Sequence, residues 1–187
     1  MLTIFVSDIF GLSPALKQLT KQLNTAPENI YIIDPYSGQV NDFENEQVAY
    51  GYFSEQIGLN HYASLINDAL RNINQPFNII AFSIGGSAVW LNAEMLAETQ
   101  VNRIVCFYAS QIRHHLTICP SVPIELILPH HEKHFDIKLM AKKLTDNKQV
   151  TLHHSHYLHG FMNPLSNNFD VQAYDEYKQY LQEYLRK

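Results

Sequence analysis

The fold is decided by the stretch Ile79-Ile80-Ala81-Phe82-Ser83-Ile84-Gly85-Gly86-Ser87. Its apolar first half predicts a buried strand, and the serine and glycines after it predict a sharp turn into a helix. Small residues two positions before and after the serine, Ala81 and Gly85, keep such a turn free of clashes, although alanine replaces the usual glycine. Ser83 is therefore a candidate nucleophile. The motif alone equally allows a plain helix N-cap, a common place for serine.

Apolar runs rich in β-branched residues lie on both sides of this motif. They are Leu2–Val6, Asn29–Ile33, Phe77–Phe82, Arg103–Phe107, Ile124–Leu128 and Gln149–His153. Most are too continuously apolar for a sheet with one wet face, so we expect helices to cover both faces. The alternation of these runs with helical patterns predicts one α/β domain over residues 1–187, with a mostly parallel sheet of about six strands.

Helical patterns fill the segments between the strands. Ser13 and Pro14 predict the N-cap and first position of the first helix, and an apolar stripe from Tyr62 to Ile73 predicts another. Further helices are expected at Gly86–Glu98, Asp136–Leu144 and Val171–Leu185. The stretch Ser37–Asn60 has no clear periodicity, and both a lid over a site and a plain surface connection fit it.

Ligands of open parallel sheets bind beyond the carboxyl ends of the strands. His159 follows the last strand and is the candidate general base. Glu132, just after the fifth strand, is preferred to Asp136 as its acidic partner, because Asp136 also suits the N-cap of the next helix. The resulting order of serine, acid and histidine favours nucleophilic catalysis. The backbone N–H groups of Ile9 and Ile84 are the expected oxyanion donors.

Composition argues against several other classes of protein. The net charge is -5 without a long basic patch, so no nucleic-acid partner is expected. There is no apolar run long enough for a membrane span and no signal-peptide pattern in the first residues, which favours a cytoplasmic protein without a membrane partner. Cys106 and Cys119 are too few for a disulfide framework. The glycine fingerprint of dinucleotide-binding proteins does not occur.

Two histidine clusters, His130 to His134 and His153 to His159, raise the alternative of a histidine-ligated, metal-dependent hydrolase. Their spacing matches no established zinc signature, and solvated loop histidines are the simpler interpretation. We therefore predict no metal and no cofactor. A second alternative is a non-catalytic binding protein, since a fold does not by itself imply a function.

The strand-exit loops and the last helix together resemble the dienelactone hydrolase family of α/β-hydrolases. The resembling segments are Asp8–Gly11, Asp34–Tyr36, the serine turn, His159–Phe161 and the tyrosine-rich C-terminal helix. The resemblance implies an α/β-hydrolase fold, with Asp8 contacting the nucleophile, and it supports Ile9 and Ile84 as oxyanion donors. Ser83 replaces the cysteine of the type enzyme, and Glu132 replaces the usual aspartate.

These residues predict a serine hydrolase that cleaves a small carboxylic ester or related acyl compound through a Ser83, Glu132 and His159 triad. Because Ala109–Pro123 is a short connection, little or no cap is expected over the site. The predicted pocket is shallow and lined by Phe10, Tyr36, Phe82 and Phe161. Its partner would be a small acyl substrate. A dienelactone is not expected, because Arg113 is the one arginine in a segment near the site.

Overall fold

A six-stranded parallel sheet organises the computed structural model, which describes residues 1–23 and 25–186. The strands are β1 (Leu2–Val6), β2 (Ile30–Ile33), β3 (Phe77–Phe82), β4 (Val101–Phe107), β5 (Ile124–Leu128) and β6 (Val150–His154). They follow the order β2-β1-β3-β4-β5-β6, and each neighbouring pair is parallel. The predicted sheet is confirmed, with bounds of β2, β4 and β6 moved by one or two residues.

Six α-helices connect or follow the strands in the described part of the chain. They are α1 (Pro14–Gln22), α2 (Glu46–Gln56), α3 (Leu59–Arg71), α4 (Ile84–Leu91), α5 (Ile137–Leu144) and α6 (Val171–Arg186). Ser13 caps α1 as predicted, since its side chain accepts a hydrogen bond from the Leu16 N–H. The helix predicted at Gly86–Glu98 is wrong at both ends, because α4 begins directly after Ser83 and a separate turn spans Leu96–Glu98.

Both faces of the sheet are covered, as the apolar strands predicted. Successive side chains of β3 point to opposite faces. Ile79 and Ala81 pack with α3, α4 and α5, whereas Ile80 and Phe82 pack with α1 and α6. Tyr177 of α6 is buried on this second face. The two apolar layers hold the strand ends in fixed positions. The loops that follow the strands can therefore present functional side chains from a rigid scaffold.

Helix α2 lies in the stretch for which the sequence showed no periodicity. Asn45 begins this helix by accepting a hydrogen bond from the Val48 N–H at 3.0 Å. Its buried side chains are Ala49 and Phe53, while Val48 and other apolar residues of the helix are exposed. Such a narrow buried stripe gives little amphipathic signal, so the sequence pattern does not predict this helix.

The two cysteines lie in different parts of the fold. Cys106 is buried in β4, Cys119 is exposed, and neither forms a disulfide. Burial raises the pKa of the Cys106 thiol to about 12, so this side chain packs as a neutral group. Within residues 1–23 and 25–186, no helix combines the length and apolar character that crossing a bilayer requires.

Candidate active site

Ser83 occupies the turn between β3 and α4. Its φ of +50° lies in the left-handed region, where the backbone of any residue other than glycine is strained. The Ser83 N–H donates to Phe107 O at 2.8 Å, and this bond ties the strained residue to the neighbouring strand. Gly86 allows the close packing that follows, because a Cβ there would lie 3.0 Å from Ala109 Cβ. Backbone strain of this kind is common at functional sites.

His159 lies in the loop after β6 and faces Ser83. The Ser83 Oγ and the His159 Nε2 are 2.8 Å apart, so the hydroxyl can donate its hydrogen to the ring. Asn168 stabilises this loop, because its side-chain amide donates a hydrogen bond to His159 O at 2.9 Å. The imidazole also packs against the ring of Tyr108, with centroids 5.0 Å apart. These contacts orient the imidazole toward the serine.

Glu132, in the loop after β5, lies on the other side of the imidazole. The His159 Nδ1–H donates to Glu132 Oε1 at 2.7 Å. Burial alone would raise the pKa of Glu132, but hydrogen bonds from His159 and Ser110 and the charges of His159 and Arg113 outweigh it and lower the pKa. Asp136 instead caps α5 by accepting from the Lys138 N–H at 2.8 Å. The structure therefore brings Glu132, and not Asp136, to the histidine.

Ile9 and Ile84, the expected oxyanion donors, line the same cleft as Ser83. Within the described residues, neither N–H donates a hydrogen bond to a protein atom. The loop of Ile9 is held by the Tyr36 hydroxyl, which donates to Ile9 O at 2.7 Å. Ile84 is the first residue of α4, where N–H groups are free and the helix dipole favours negative charge. Both groups can therefore bind a developing oxyanion.

The Asp8 side chain is hydrogen-bonded to groups other than the nucleophile, so the contact with Ser83 that the resemblance implied stays a prediction. Its carboxylate accepts from the Phe10 N–H at 2.9 Å and from the Asn163 amide at 2.6 Å. Burial raises the pKa of Asp8, although those two hydrogen bonds oppose the increase. Asp8 lines the cleft, and its side chain joins the loop after β1 to the loop after His159. Among the described residues, it forms no hydrogen bond to Ser83.

The predicted aromatic pocket is largely wrong. Of its four rings, Phe10 lines the cleft at Ser83. Phe82 and Phe161 pack in the core beneath α1 and α6, and Phe161 has no exposed surface. Tyr36 packs on Phe43 and Tyr52 at centroid distances of 5.8 and 5.7 Å. Side chains alternate along a strand, so Phe82 points away from the cleft that the next residue enters.

The cleft has a volume of about 520 Å³, and both polar and apolar side chains line it. Helix α2 forms one wall, and the loop after β5 forms part of the other. The residues on these walls that the sequence did not suggest include Glu46, Gln47, Tyr50 and Lys133. Glu46 holds α2 against the loop after His159, because its carboxylate accepts from the Ser166 hydroxyl at 3.0 Å. The stretch Ser37–Asn60 thus contributes a wall of the site.

A second lobe of about 480 Å³ continues the cleft past His159. Tyr50, Lys133 and His134 line both lobes, and Leu158 and Phe135 are apolar surfaces of the second lobe alone. His159 stands at the boundary between the two. A ligand centred on Ser83 could therefore extend to either side of the imidazole.

Ser110 is a site residue that the sequence did not single out. It begins the turn after β4, and its hydroxyl donates to Glu132 Oε1. Its Oγ is also 3.0 Å from His159 Nδ1. Its place just after a strand end was a usable signal, but serine is common in such turns.

The histidine clusters do not gather into a ligand set in residues 1–23 and 25–186. No group of three or more histidine, cysteine, aspartate or glutamate residues there is placed to hold a metal ion. His153 lies 3.1 Å from Glu125 near α6, and His159 faces Ser83. His131 and His134 line the cleft on the exposed loop after β5.

Solved structures of known hydrolases share this architecture. One is a dienelactone hydrolase-like promiscuous phosphotriesterase from metagenomic libraries, 16% identical with a TM-score of 0.63, covering 97% of this chain and 85% of that one. Another is a dienelactone hydrolase from Anabaena variabilis, 16% identical with a TM-score of 0.60, covering 97% and 83%. The chain has the α/β-hydrolase fold.

A further solved structure shares this fold, and one curated protein is similar in sequence. Est1E from Butyrivibrio proteoclasticus, solved with ferulic acid bound, is 11% identical with a TM-score of 0.60, covering 100% of this chain and 90% of that one. The uncharacterized protein YczH of Bacillus subtilis (strain 168) is 28% identical over 173 residues, or 90% of this chain and 84% of YczH. No family model matches the sequence. The predicted resemblance to dienelactone hydrolases is thus confirmed for the fold.

Proposed function

We propose that this chain is a serine hydrolase that cleaves a small carboxylic ester or a related acyl compound. The observation that carries the proposal is the hydrogen-bond chain from Ser83 through His159 to Glu132, with distances of 2.8 and 2.7 Å. A nucleophile, a base and an acid that orients the base are the parts that acyl transfer requires. They stand at strand ends beside an open cleft, where ligands bind in α/β sheets.

In the first step, Ser83 Oγ attacks the acyl carbon while its proton moves to His159 Nε2. Negative charge develops on the carbonyl oxygen, and the free N–H groups of Ile9 and Ile84 stabilise it. Glu132 stabilises the imidazolium and holds the ring in the tautomer that leaves Nε2 available. His159 then gives the proton to the leaving group, and the C–O or C–S bond breaks to leave an acyl-serine.

In the second step, water hydrolyses the acyl-serine. His159 takes a proton from the water, whose oxygen attacks the acyl carbon, and returns that proton to Ser83 Oγ as the serine leaves. The leaving group must lie on the His159 side to receive a proton, which points it toward the lobe lined by Leu158 and Phe135. The acyl group then lies toward Phe10 and Gln47.

A fluorophosphonate probe tests this proposal, because it phosphonylates an activated serine. We expect one adduct per chain, located by mass spectrometry on the peptide that contains Ser83, and no adduct in the Ser83→Ala variant. Short-chain nitrophenyl esters should be hydrolysed by the wild type alone. An unlabelled wild type without ester hydrolysis would contradict the proposal and favour a non-catalytic binding protein.

The choice of acidic partner gives a second prediction. Glu132→Gln is expected to lower kcat for a nitrophenyl ester by about three to four orders of magnitude, because the neutral amide no longer stabilises the imidazolium. Asp136→Asn should leave kcat within about twofold, since asparagine also caps helices and this side chain lies at the start of α5. Steady-state kinetics of both variants provide the measurement. The reverse ranking would assign the role to Asp136.

A further inference from the structure

Ser110 takes no part in the two steps above, yet it lies in the hydrogen-bond chain. Its side chain is almost fully buried, and its hydroxyl donates to the same Glu132 oxygen that receives the His159 Nδ1–H. The Ser110 Oγ is 3.0 Å from His159 Nδ1. Ser110 Oγ, Glu132 Oε1 and His159 Nδ1 therefore lie within hydrogen-bonding distance of one another, on the side of the imidazole opposite Ser83.

A hydroxyl has one hydrogen to donate, and three acceptors compete for it here. They are Glu132 Oε1, Tyr108 O at 3.3 Å, and the ring nitrogen if it is unprotonated. An ionised carboxylate is the strongest of these acceptors, so the hydrogen goes to Glu132. The Ser110 oxygen then presents lone pairs to the His159 Nδ1–H, which favours the tautomer with a free Nε2.

The position of Ser110 is itself held by neighbouring groups. The Arg113 guanidinium donates to Ser110 O at 2.8 Å and stacks 4.8 Å from the centre of the Phe135 ring. Ser110 also begins the short turn that leaves β4. A side chain whose position is fixed by its neighbours can fix the orientation of the carboxylate that it binds, here that of Glu132.

We propose that Ser110 is a positioning residue for the reaction. It holds Glu132 Oε1 against His159 Nδ1 and thereby keeps the imidazole aimed at Ser83. This role rests on the proposed function, but its structural part does not depend on turnover. Ser110 acts chiefly through Glu132, so its effect must shrink when the carboxylate is absent.

Kinetics test this role first. Ser110→Ala is expected to lower kcat about 10- to 100-fold with KM nearly unchanged, the size expected for losing one hydrogen bond to a charged group. Ser110→Thr keeps the hydroxyl and should restore most of kcat. In the Glu132→Gln background, Ser110→Ala should cost much less than in the wild type, because only the 3.0 Å contact with His159 Nδ1 is then left for the hydroxyl. Equal losses from Ser110→Ala in both backgrounds would overturn the proposal.

A proton NMR measurement separates this inference from the proposed function. The His159 Nδ1–H, assigned by its loss in His159→Gln, should resonate well downfield in the wild type and shift upfield in Ser110→Ala. The control is Ser121→Ala, which removes a hydroxyl that donates to Ala93 O and accepts from the Ala97 N–H, each at 3.0 Å. An unchanged resonance in Ser110→Ala contradicts the positioning role. Absence of turnover in the wild type contradicts only the proposed function.

Discussion

Replacing His159 with glutamine is expected to lower kcat for short-chain nitrophenyl esters by about four to six orders of magnitude. Glutamine is neutral and cannot take the proton of Ser83, whose Oγ lies 2.8 Å from the His159 Nε2. Without a general base the hydroxyl remains a weak nucleophile at neutral pH. Single-turnover and steady-state assays of the purified variant measure this loss, and a thermal melt verifies that it is folded.

Non-additivity makes this prediction more specific. Residues that act as one catalytic unit lose their effect together, so the Ser83→Ala, His159→Gln double variant should be no slower than either single variant. His156→Gln is the matched control, because His156 is an exposed histidine in the same loop that does not line the cleft. Turnover that survives in His159→Gln, or falls equally in His156→Gln, would count against the proposed base.

Replacing Gly85 with alanine is expected to lower the free energy of unfolding by more than about 4 kcal/mol, or to prevent folding. A Cβ at this position would lie much closer to Ser7 O than van der Waals contact allows, and it would lie 2.9 Å from Val6 O. Both atoms belong to the backbone of β1 and the residue after it, and backbone in the centre of a sheet cannot move aside cheaply. Urea unfolding followed by circular dichroism provides the measurement.

Gly51→Ala is the control for this second prediction. Gly51 lies within α2, where an added Cβ would meet no atom within 4 Å. Alanine favours helix more than glycine does, so this variant should be more stable by about 0.5 to 1 kcal/mol. A Gly85→Ala protein as stable as the wild type would mean that α4 and β1 lie farther apart than the structure has them.

Loops after strands could be predicted well because they depend on local pattern. The end of β3 is marked by a run of apolar residues, and the serine and glycines after it are marked by their size. The same logic located Glu132 and His159 after β5 and β6, since parallel strands end at one edge of the sheet. Their meeting beside Ser83 followed from strand order. Whether they act as a triad stays a prediction.

The direction of individual side chains could not be predicted in this way. Phe82 and Phe161 precede or follow site residues in the chain, yet they pack in the core under α1 and α6. Phe161 comes directly after Gly160, whose φ of +88° lies in the left-handed region, and its side chain is fully buried. Proximity in sequence to a site residue thus says little about a large apolar side chain, because the core competes for it.

Local sequence patterns were sufficient to predict the α/β class, the parallel sheet and the candidate residues Ser83, Glu132 and His159. Those features depend on hydrophobic periodicity and turn chemistry, which act over a few neighbouring residues. Three contacts follow from tertiary packing alone. Asp8 accepts a hydrogen bond from Asn163, residues of α2 line the cleft, and Ser110 donates to the Glu132 oxygen. These contacts join loops distant in the chain, and their geometry depends on how helices and strands pack.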